Sequence, residues 1–547
     1  MTINYSYRTI YINLIIWASK KTFLNPKKFL KFKKQFCSQN KVPQPTNADL
    51  RELYNNLVSQ KIIKRNKSLE KVMLSRAIRT QSGVAIVAVL TKPFSCPGKC
   101  IFCPTEKNMP KSYLSNEPAV MRAIMNKFSP YKQVQSRIKA LELNGHSTDK
   151  IELIVMGGTF SYLPKHYQKW FIKECFRACN EYNKKSLRQR RDTNKISELL
   201  KNEQHKNEVS DHRIIGLTLE TRPDYITEKE ILNFRNLGCT RVELGVQSIF
   251  DDILKKNNRG HLTQSTAQAT KLLKESGFKI NYHMMPGLYG STLAKDFKMF
   301  SKLFSDERFQ PDMLKIYPTV VIKNSKLYKL WKLGKYKAMS DKQFEKLIIK
   351  IKNRTIPPYV RIQRLIRDVP LPSIEAGPKI SNLRQIIEPK TNCQCIRCRE
   401  IKGEFSKKNK LTLNRIDYLS SNGKEIFLQF IDKNNHLYAL LRLRINDRKT
   451  TTNHFIPILK NSAIIREVHT YGKLTSIGKQ DKNSPQHIGL GRKLLQEAEK
   501  IAKKELTELG IPKSKQKITV ISGIGVRNYY RKNGYRLRDT YMVKKLF

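Results

Sequence analysis

Between residues 84 and 366, short apolar segments alternate with amphipathic helical segments, and this alternation restricts the fold more than any other feature of the chain. Strands joined by helices run parallel, because each helix returns the chain to the end of the sheet where the strand began. The pattern predicts an α/β fold, a partial or complete parallel β/α barrel. The predicted strands are 84–90, 151–156, 214–219, 241–246, 279–284, 313–317 and 359–366. The predicted helices are 119–143, 165–182, 228–237, 263–275, 293–304 and 341–351.

Polar residues follow several of these strands at their carboxyl ends, where the chemistry of β/α barrels collects. Gly157-Gly158-Thr159 follows the second strand, Glu220 and Arg222 follow the third, and Gln247 follows the fourth. Glycines let a ligand approach the backbone closely, and a carboxylate accepts hydrogen bonds from ribose hydroxyls. These residues are therefore predicted to bind a cofactor. A structural ion pair at the barrel rim is the alternative for Glu220 and Arg222.

A loop after the first predicted strand holds three cysteines, Cys96, Cys100 and Cys103, at the spacing Cys-x3-Cys-x2-Cys. Three thiolates can hold three irons of a four-iron cluster and leave the fourth iron open, whereas electron-transfer clusters normally use four cysteines. The motif resembles that of the radical S-adenosylmethionine (SAM) enzymes, in which the open iron chelates SAM. It predicts a [4Fe-4S] cluster and SAM as cofactors. A zinc loop or a buried thiol cluster is the alternative.

A second domain, of α+β type, is predicted beyond residue 411. Gln486-x-x-Gly489-x-Gly491 opens a predicted helix, and a glycine loop at a helix N-terminus presents free N–H groups to a phosphate. With the strand before it and Tyr529-Tyr530 after it, this order resembles the GNAT acetyltransferases. In that fold the strand splays to admit the pantetheine arm of coenzyme A, and a tyrosine lies near the thioester sulfur. Both tyrosines could instead be core aromatics.

Between the two domains lie Cys393, Cys395 and Cys398, close enough in sequence to share one metal. Zn²⁺ prefers four ligands, and His436 and His454 are guesses for the fourth. Free thiols are the alternative to zinc. We divide the chain into a basic N-terminal region (1–80), the barrel (81–384), a zinc-binding linker (385–411) and the GNAT domain (412–547). A helix capped by Asp49 and a second one over 69–78 are predicted in the N-terminal region, and residues 184–212 are predicted to form an exposed, charged insertion.

The charge of the chain points to a polyanionic partner. Lys and Arg number 105 against 45 Asp and Glu, giving a net charge of +60, and nucleic acid is the first candidate. A solvated basic surface, or a Lys-rich proteome, is the alternative. Ten cysteines that include two triplets favour metal ligands in a reducing compartment over disulfides. The apolar run 10–18 is too short to cross a bilayer, so a cytoplasmic protein with no membrane partner is expected.

Longer motifs identify the chain as similar, over nearly its whole length, to the catalytic subunit of Elongator, the tRNA carboxymethyluridine synthase. A radical SAM domain followed by a GNAT domain is specific to that family. The short Cys-x3-Cys spacing resembles the bacterial form, so the other Elongator subunits are not a firm expectation as partners. The matching stretches are 117–123, 154–160, 220–224, 238–248, 258–261, 283–287 and 521–532.

The resemblance implies an enzyme that forms 5-carboxymethyluridine at the wobble uridine of tRNA, with the anticodon stem-loop as its partner. It implies a [4Fe-4S] cluster on the first cysteine triplet, SAM, acetyl-CoA, and zinc on the second triplet. By position it places Lys150, Tyr529, Tyr530 and His469 in catalysis. The residues that it implies in acetyl-CoA binding are Lys150, Glu467, Val468, His469, Thr470, Leu490, Gly491, Arg492 and Tyr530.

The hypothesis for the reaction is that a SAM-derived radical activates the methyl group of acetyl-CoA, which adds to C5 of the uridine before the thioester is hydrolysed. The two cofactors must then meet, so the GNAT domain is expected to dock against the open face of the barrel. Two alternatives remain at this point. One is a protein or histone lysine acetyltransferase with a structural cluster, and the other is a tRNA-binding scaffold with inactive sites.

Overall fold

A computed structural model describes residues 5–74, 83–183, 195–401, 410–472 and 489–547. Three parts follow one another along the chain: a helical N-terminal part, a parallel sheet with helices, and a mixed C-terminal sheet. Gln486, residues 75–78 of the predicted second N-terminal helix and residues 184–194 of the predicted insertion lie outside the described residues. No helix among the described residues has the length and apolarity needed to cross a membrane.

The N-terminal part is a small helical unit with its own apolar core. Its third helix begins with a capping box, in which Thr46 and Asp49 each bond the other's backbone N–H, and the predicted helix there is confirmed. Buried residues such as Leu14, Phe29 and Tyr54 form the core. The first two helices were not predicted. The helices are α1 (Arg8–Ser19), α2 (Pro26–Gln39), α3 (Asn47–Ser59) and α4 (Lys67–Val72).

The seven predicted barrel strands are confirmed, and they pair in chain order, all parallel. Within the described ranges the last strand does not pair with the first, so the barrel is partial. The strands are β1 (Ala85–Leu90), β2 (Lys150–Met156), β3 (Arg213–Thr221), β4 (Arg241–Gln247), β5 (Lys279–Met284), β6 (Met313–Ile316) and β7 (Arg361–Arg364).

The helices of the barrel cover the outer face of the sheet. The single helix predicted over 119–143 is wrong, because the chain breaks at Lys127 and Phe128, which have positive φ, and restarts at Pro130 under an Ser129 cap. The helices are α5 (Pro118–Met125), α6 (Pro130–Leu143), α7 (Lys165–Asn180), α8 (Ile196–Asn207), α9 (Glu228–Leu237), α10 (Asp251–Lys256), α11 (Thr263–Glu275), α12 (Leu293–Ser305), α13 (Lys326–Lys332), α14 (Asp341–Arg354), α15 (Leu383–Ile387) and α16 (Ile396–Arg399).

The prediction of an exposed insertion is wrong for residues 195–212. They include α8, which packs on α7, and Asn207 is fully buried with its side chain bonded to Asn180 and Ile214. Glu208, also buried, accepts hydrogen bonds from Arg527 (3.0 Å) and Arg531, which lie in a helix of the C-terminal domain. The charges that suggested a solvated segment are here satisfied by specific partners.

The C-terminal domain is a seven-stranded mixed sheet in the order β13-β14-β12-β11-β10-β9-β8. The helix predicted after the glycine loop is confirmed, while β8, β13 and β14 were not predicted. Its elements are β8 (Thr412–Ser420), β9 (Gly423–Ile431), β10 (Leu437–Asn446), α17 (Arg448–Asn453), β11 (Ser462–Thr470), α18 (Leu490–Glu508), β12 (Lys517–Val520), α19 (Arg527–Arg531), β13 (Arg536–Arg538) and β14 (Tyr541–Lys545).

The C-terminal domain packs against the amino ends of the barrel strands, so the expectation that it docks on the open face, where the carboxyl ends carry the cysteine loop, is wrong. Arg466 of β11 reaches Asp312, the residue before β6, at 3.0 and 2.5 Å, and the carbonyl of Phe278, the residue before β5, at 2.6 Å. Arg442 donates to the carbonyl of Tyr359 near β7 at 2.6 Å. These contacts fix one orientation of the two sheets.

We expect Arg466→Met to lower the free energy of unfolding by about 3–5 kcal/mol, because it leaves the buried carboxylates of Asp312 and Glu425 without their shared partner. Urea unfolding followed by circular dichroism measures this change. Arg308→Met is the matched control, because its pair with Asp306 is exposed and exposed pairs contribute about 0–1 kcal/mol. Equal losses in the two variants would contradict the structural role given to Arg466.

Candidate active site

The cysteine loop lies at the carboxyl end of the barrel, close to two arginines. The sulfurs of Cys96 and Cys100 each lie 3.6 Å from the point where a Cβ on Gly98 would stand. Arg259 donates a hydrogen bond to the Cys100 sulfur at 3.5 Å. The pKa of Cys100 is lowered from its usual value by a hydrogen bond from Cys103 and by the charge of Arg259. The same hydrogen bond, together with burial, raises the pKa of Cys103. The loop therefore favours the thiolate, the form of cysteine that binds iron, at Cys100.

Gly157, Gly158 and Thr159 lie beside this loop, as predicted for a cofactor pocket. Thr159 Oγ1 is 3.9 Å from the Cys96 sulfur. Both glycines have positive φ, and a Cβ on Gly157 would come within 2.0 Å of Thr91 Oγ1. Only glycine fits this turn, because Thr91 packs against Gly157 and both glycines have positive φ.

The other predicted SAM contacts also lie at this end of the barrel. Glu220 accepts a hydrogen bond from Tyr113 at 2.8 Å and lies 3.8 Å from the Lys315 ammonium. Arg222 pairs with Asp224 at 2.7 Å, so Glu220 and Arg222 do not pair with each other.

Gln247 has a positive φ of 69°, and its buried Oε1 has no hydrogen-bond partner within the described ranges. Strained backbone and an unsatisfied polar atom are typical of ligand-binding positions.

In the C-terminal domain, β11 and β12 diverge. They pair at only four positions, Ser462↔Lys517 to Ile465↔Val520, and among the described residues none pairs with 466–470 of β11 on that side. A β-bulge opposite Arg442 and Leu443 marks the divergence. The free strand edge presents N–H and C=O groups that could pair with the two amides of a pantetheine arm. This is the splay that the resemblance to GNAT enzymes predicts.

The glycine loop begins α18 at the same cleft. Gly489 caps the helix in the left-handed conformation, and no described side chain caps the helix there. A Cβ on Gly491 would lie 2.7 Å from the hydroxyl of Tyr529. The N–H groups of the first turn, Leu490 to Arg492, have no acceptor within the helix itself and suit a phosphate.

A cavity of about 1050 Å³ joins this cleft to the amino ends of the barrel. It is lined by the predicted acetyl-CoA residues of both domains, among them Lys150, His469, Thr470, Arg492 and Tyr530. The structure therefore brings Lys150 of β2 together with residues that lie more than 300 positions later. Burial lowers the pKa of Lys150 and raises the pKa of both Tyr529 and Tyr530, so the two phenols keep their protons.

His469 and Glu467 differ in how they can act in this cavity. The His469 Nε2 is buried without a hydrogen-bond partner among the described residues, and burial lowers its pKa to about 4, so the ring is neutral. Burial would raise the pKa of Glu467, but Lys279 at 3.1 Å and Arg442 at 2.9 Å outweigh it and hold the carboxylate ionised. The Glu467 side chain is thus committed to ion pairs, which leaves its backbone for a ligand.

The second cysteine triplet lies where the barrel meets the C-terminal domain. The sulfurs of Cys393, Cys395 and Cys398 all lie within 4.8 Å of one another, which suits a single ion with metal–sulfur bonds of about 2.3 Å. Neither suggested fourth ligand joins them: His436 pairs with Asp432, and His454 bonds the carbonyl of Glu275. Those two guesses are wrong.

Several residues at the site were not predicted. Arg259 beside the cysteines lies in a stretch that matched the family but received no role. The interior of the barrel holds a polar cluster in which Glu243 contacts His283 (2.8 Å) and Lys315. The signal for this cluster was present, because polar residues alternate with apolar ones in strands that would be apolar throughout in an ordinary parallel sheet.

Comparisons with known proteins agree with this geometry. The chain matches the Radical SAM superfamily over residues 93–300 and the Radical_SAM C-terminal domain over residues 311–392. The partial barrel and its three-cysteine loop thus define a radical SAM protein, a class that implies SAM and a [4Fe-4S] cluster.

Relatives cover most of the chain. A tRNA uridine(34) acetyltransferase of Methanocaldococcus infernus is 45% identical, with 88% of this chain and 89% of the relative covered. The human Elongator complex protein 3 is 38% identical, with 88% and 87% covered. The solved structure of the archaeal M. infernus Elp3 with an N-terminal deletion (1-46) superposes with a TM-score of 0.69 at 41% identity, covering 85% of this chain and 99% of that one. The chain belongs to the family of the tRNA uridine(34) acetyltransferases and Elongator complex protein 3.

The packing of the C-terminal domain against β3 can be tested at two glycines. We expect Gly523→Ala to be destabilising by at least about 1–3 kcal/mol, because its Cβ would stand 2.0 Å from the carbonyl oxygen of Ile215 in β3. Differential scanning fluorimetry would show a lower melting temperature. Gly216→Ala is the control, since the nearest atom to its Cβ lies at 3.7 Å. An unchanged melting temperature for Gly523→Ala would contradict this close packing.

Proposed function

We propose that this protein converts the wobble uridine of tRNA to 5-carboxymethyluridine, with acetyl-CoA as the source of the two-carbon unit. The observation that carries the proposal is the pairing of two sites in one molecule. A three-cysteine loop lies at one end of the barrel, and a splayed strand with a glycine-opened helix covers the other end. The family supports the same activity, since its members are named for acetyl transfer at uridine 34.

We assign the cluster to Cys96, Cys100 and Cys103, and SAM to the pocket beside them that contains Gly157, Gly158, Thr159, Glu220, Arg222 and Gln247. When bound, this pair would supply the radical needed to activate a methyl group. The protein's own part is to hold Cys100 next to Arg259 and to form the tight turn at Gly157 and Gly158 beside the cysteine loop.

At the other end, we assign the free N–H groups of residues 490–492 to the pyrophosphate of acetyl-CoA, and the free edge of residues 467–470 to the pantetheine amides. The neutral His469 is suited to accept a proton from water during hydrolysis of the thioester. The protonated Tyr529 and Tyr530 are suited to donate hydrogen bonds to the thioester sulfur, and Lys150 completes the wall of the cavity.

Charge supports tRNA as the substrate. The net charge of +60 favours a phosphate backbone, and α2 exposes Lys27, Lys28, Lys31 and Lys34 along its length. We therefore propose the N-terminal helices (residues 1–80) as part of the tRNA-binding surface. A uridine in a loop can be turned out of its stack at modest cost and inserted into a pocket.

A lysine acetyltransferase with a structural cluster is less well supported. In the GNAT arrangement the acceptor would approach the cleft from the side that the barrel covers here, where Gly523 and Gly525 lie against β3. A lysine on a folded protein could reach the cleft only through this interface. The cysteine loop at the other end of the barrel is a second proposed site, for which a lysine acetyltransferase has no use.

A strain carrying Cys100→Ser together with Cys103→Ser should lose carboxymethyluridine-derived nucleosides from its tRNA, since the loop could no longer hold an iron cluster. Mass spectrometry of nuclease-digested tRNA measures this. Cys37→Ser, in the separate N-terminal core, is the control and should keep the modification. Wild-type nucleoside levels in the double variant would refute the proposed function.

We also propose zinc at Cys393, Cys395 and Cys398. Cys395→Ser should remove one zinc per chain and leave iron unchanged, whereas Cys100→Ser should remove iron and leave zinc unchanged. Elemental analysis of anaerobically purified protein by mass spectrometry gives both numbers. Loss of iron rather than zinc from Cys395→Ser would overturn this assignment.

A further inference from the structure

The interior of the barrel is polar, which is unusual because β/α barrels normally fill it with layers of branched aliphatic residues. Side chains from non-neighbouring strands meet there. Lys315 of β6 contacts Glu243 of β4, and Asn281 of β5 donates to Gln363 of β7 at 2.6 Å. Arg241 pairs with Glu152 at 2.5 Å. Such contacts are made only across the interior of a curved sheet.

The large cavity ends in this interior. On the C-terminal side it is lined by His469 and Tyr530, and on the barrel side by Glu152, Gly216 and Gln363. We call the barrel side of the cavity the barrel mouth. It is therefore a continuation of the cleft into the barrel rather than a separate pocket.

Arg241, which lines the mouth, is almost fully buried, yet its Nε has no hydrogen-bond acceptor among the described residues. Asn281, which donates to the lining residue Gln363, is also buried, and its Oδ1 has no donor within the described ranges. Buried polar atoms are normally satisfied, so exceptions next to a cavity point to a polar ligand. Gln363 uses its amide oxygen to accept from Asn281, and its NH2 group remains as a donor.

Gly216 makes room at the mouth. Its φ is not positive, and a Cβ built there would have no neighbour closer than 3.7 Å. Neither the backbone nor the packing demands glycine at this position. What glycine provides is open space on the inner face of β3.

The distance between the cleft and the cysteine loop is a reason for the acyl group to enter the barrel. The strand β2 has seven residues, so the two ends of the barrel are about 20 Å apart at about 3.3 Å per residue. A thioester that stayed in the cleft would be far from the cysteine loop, because reacting atoms must approach to about 3–3.5 Å. An acyl group that enters the mouth shortens this gap along the barrel axis.

We propose that the acyl-thioester end of a coenzyme A ester binds in the barrel mouth, against Gly216, with Gln363 and Arg241 as polar partners for the thioester carbonyl. This inference rests on the proposed function and adds a subsite to it: the cleft holds the nucleotide and the pantetheine arm, and the barrel holds the acyl group. Gly216 then limits the size of the acyl group that fits.

Isothermal titration calorimetry of the full-length holoprotein with acetyl-CoA and with free coenzyme A tests this subsite. Gly216→Val should raise the Kd for acetyl-CoA about tenfold or more, the range in which pockets discriminate one or two methyl groups, and should change the Kd for coenzyme A less than about twofold. Gly216→Ala should give a smaller change in the same direction. Circular dichroism checks that both variants are folded.

Gln363→Leu removes the donor with little change in volume and should weaken acetyl-CoA binding about fivefold, the effect of one hydrogen bond, again sparing coenzyme A. Asn414→Leu on the exposed face of β8 is the matched control and should leave both constants unchanged. Equal weakening of both ligands, or no weakening of either, would overturn the acyl subsite alone. Failure of the wild-type protein to bind acetyl-CoA would instead overturn the proposed function and the subsite with it.

Discussion

A buried ionic network holds the two catalytic halves of this protein together. Asp312 and Glu425 are fully buried, and Arg466 bridges them. Burial would raise the pKa of both acids, but the charge of Arg466 outweighs it and lowers the pKa of each. Arg442 and Lys274 lie within 4 Å of the same acids. Ion pairs of this kind specify geometry more than they add stability, because desolvation offsets much of the attraction. Here the geometry that they specify is the cleft facing the barrel mouth.

The two proposed sites lie at opposite ends of one barrel, so a reaction between them would require the acyl group to approach the cysteine loop through the barrel. The polar interior suits this approach, since Glu152 and Gln363 line the end of the cavity and can exchange hydrogen bonds with a ligand where aliphatic side chains could only exclude it. The bulge at Arg466 in β11 serves the same arrangement. It turns one arginine toward Asp312 and lets the rest of the strand diverge from β12, so a single irregularity both docks the domain and opens the cleft.

Local patterns predicted most of the fold, and the candidate site residues come from the same local motifs. The strands of the barrel, the three-cysteine loop and the glycine loop of α18 each carry their signal within a few residues. The docking of the domains could not be predicted in this way, because Asp312 and Arg466 lie 154 residues apart and neither belongs to a periodic pattern. The break before Pro130 does have a local signal, a Ser-Pro pair that is typical of a helix start, although a single helix was predicted there. The burial of Glu208 could not be predicted from the local sequence, because its partners Arg527 and Arg531 lie more than 300 residues later.

The separation between Asp312 and Arg466 also bears on how the chain is made. At about 5–20 residues per second, the ribosome adds Asp312 roughly 8–30 seconds before Arg466, and the last barrel strand, which ends at Arg364, is also made before that arginine. During that interval the amino end of the barrel exposes the carboxylate of Asp312, which water solvates well. An apolar surface in its place would favour aggregation with other nascent chains. An ionic interface is therefore well suited to a domain that is synthesised before the domain that covers it.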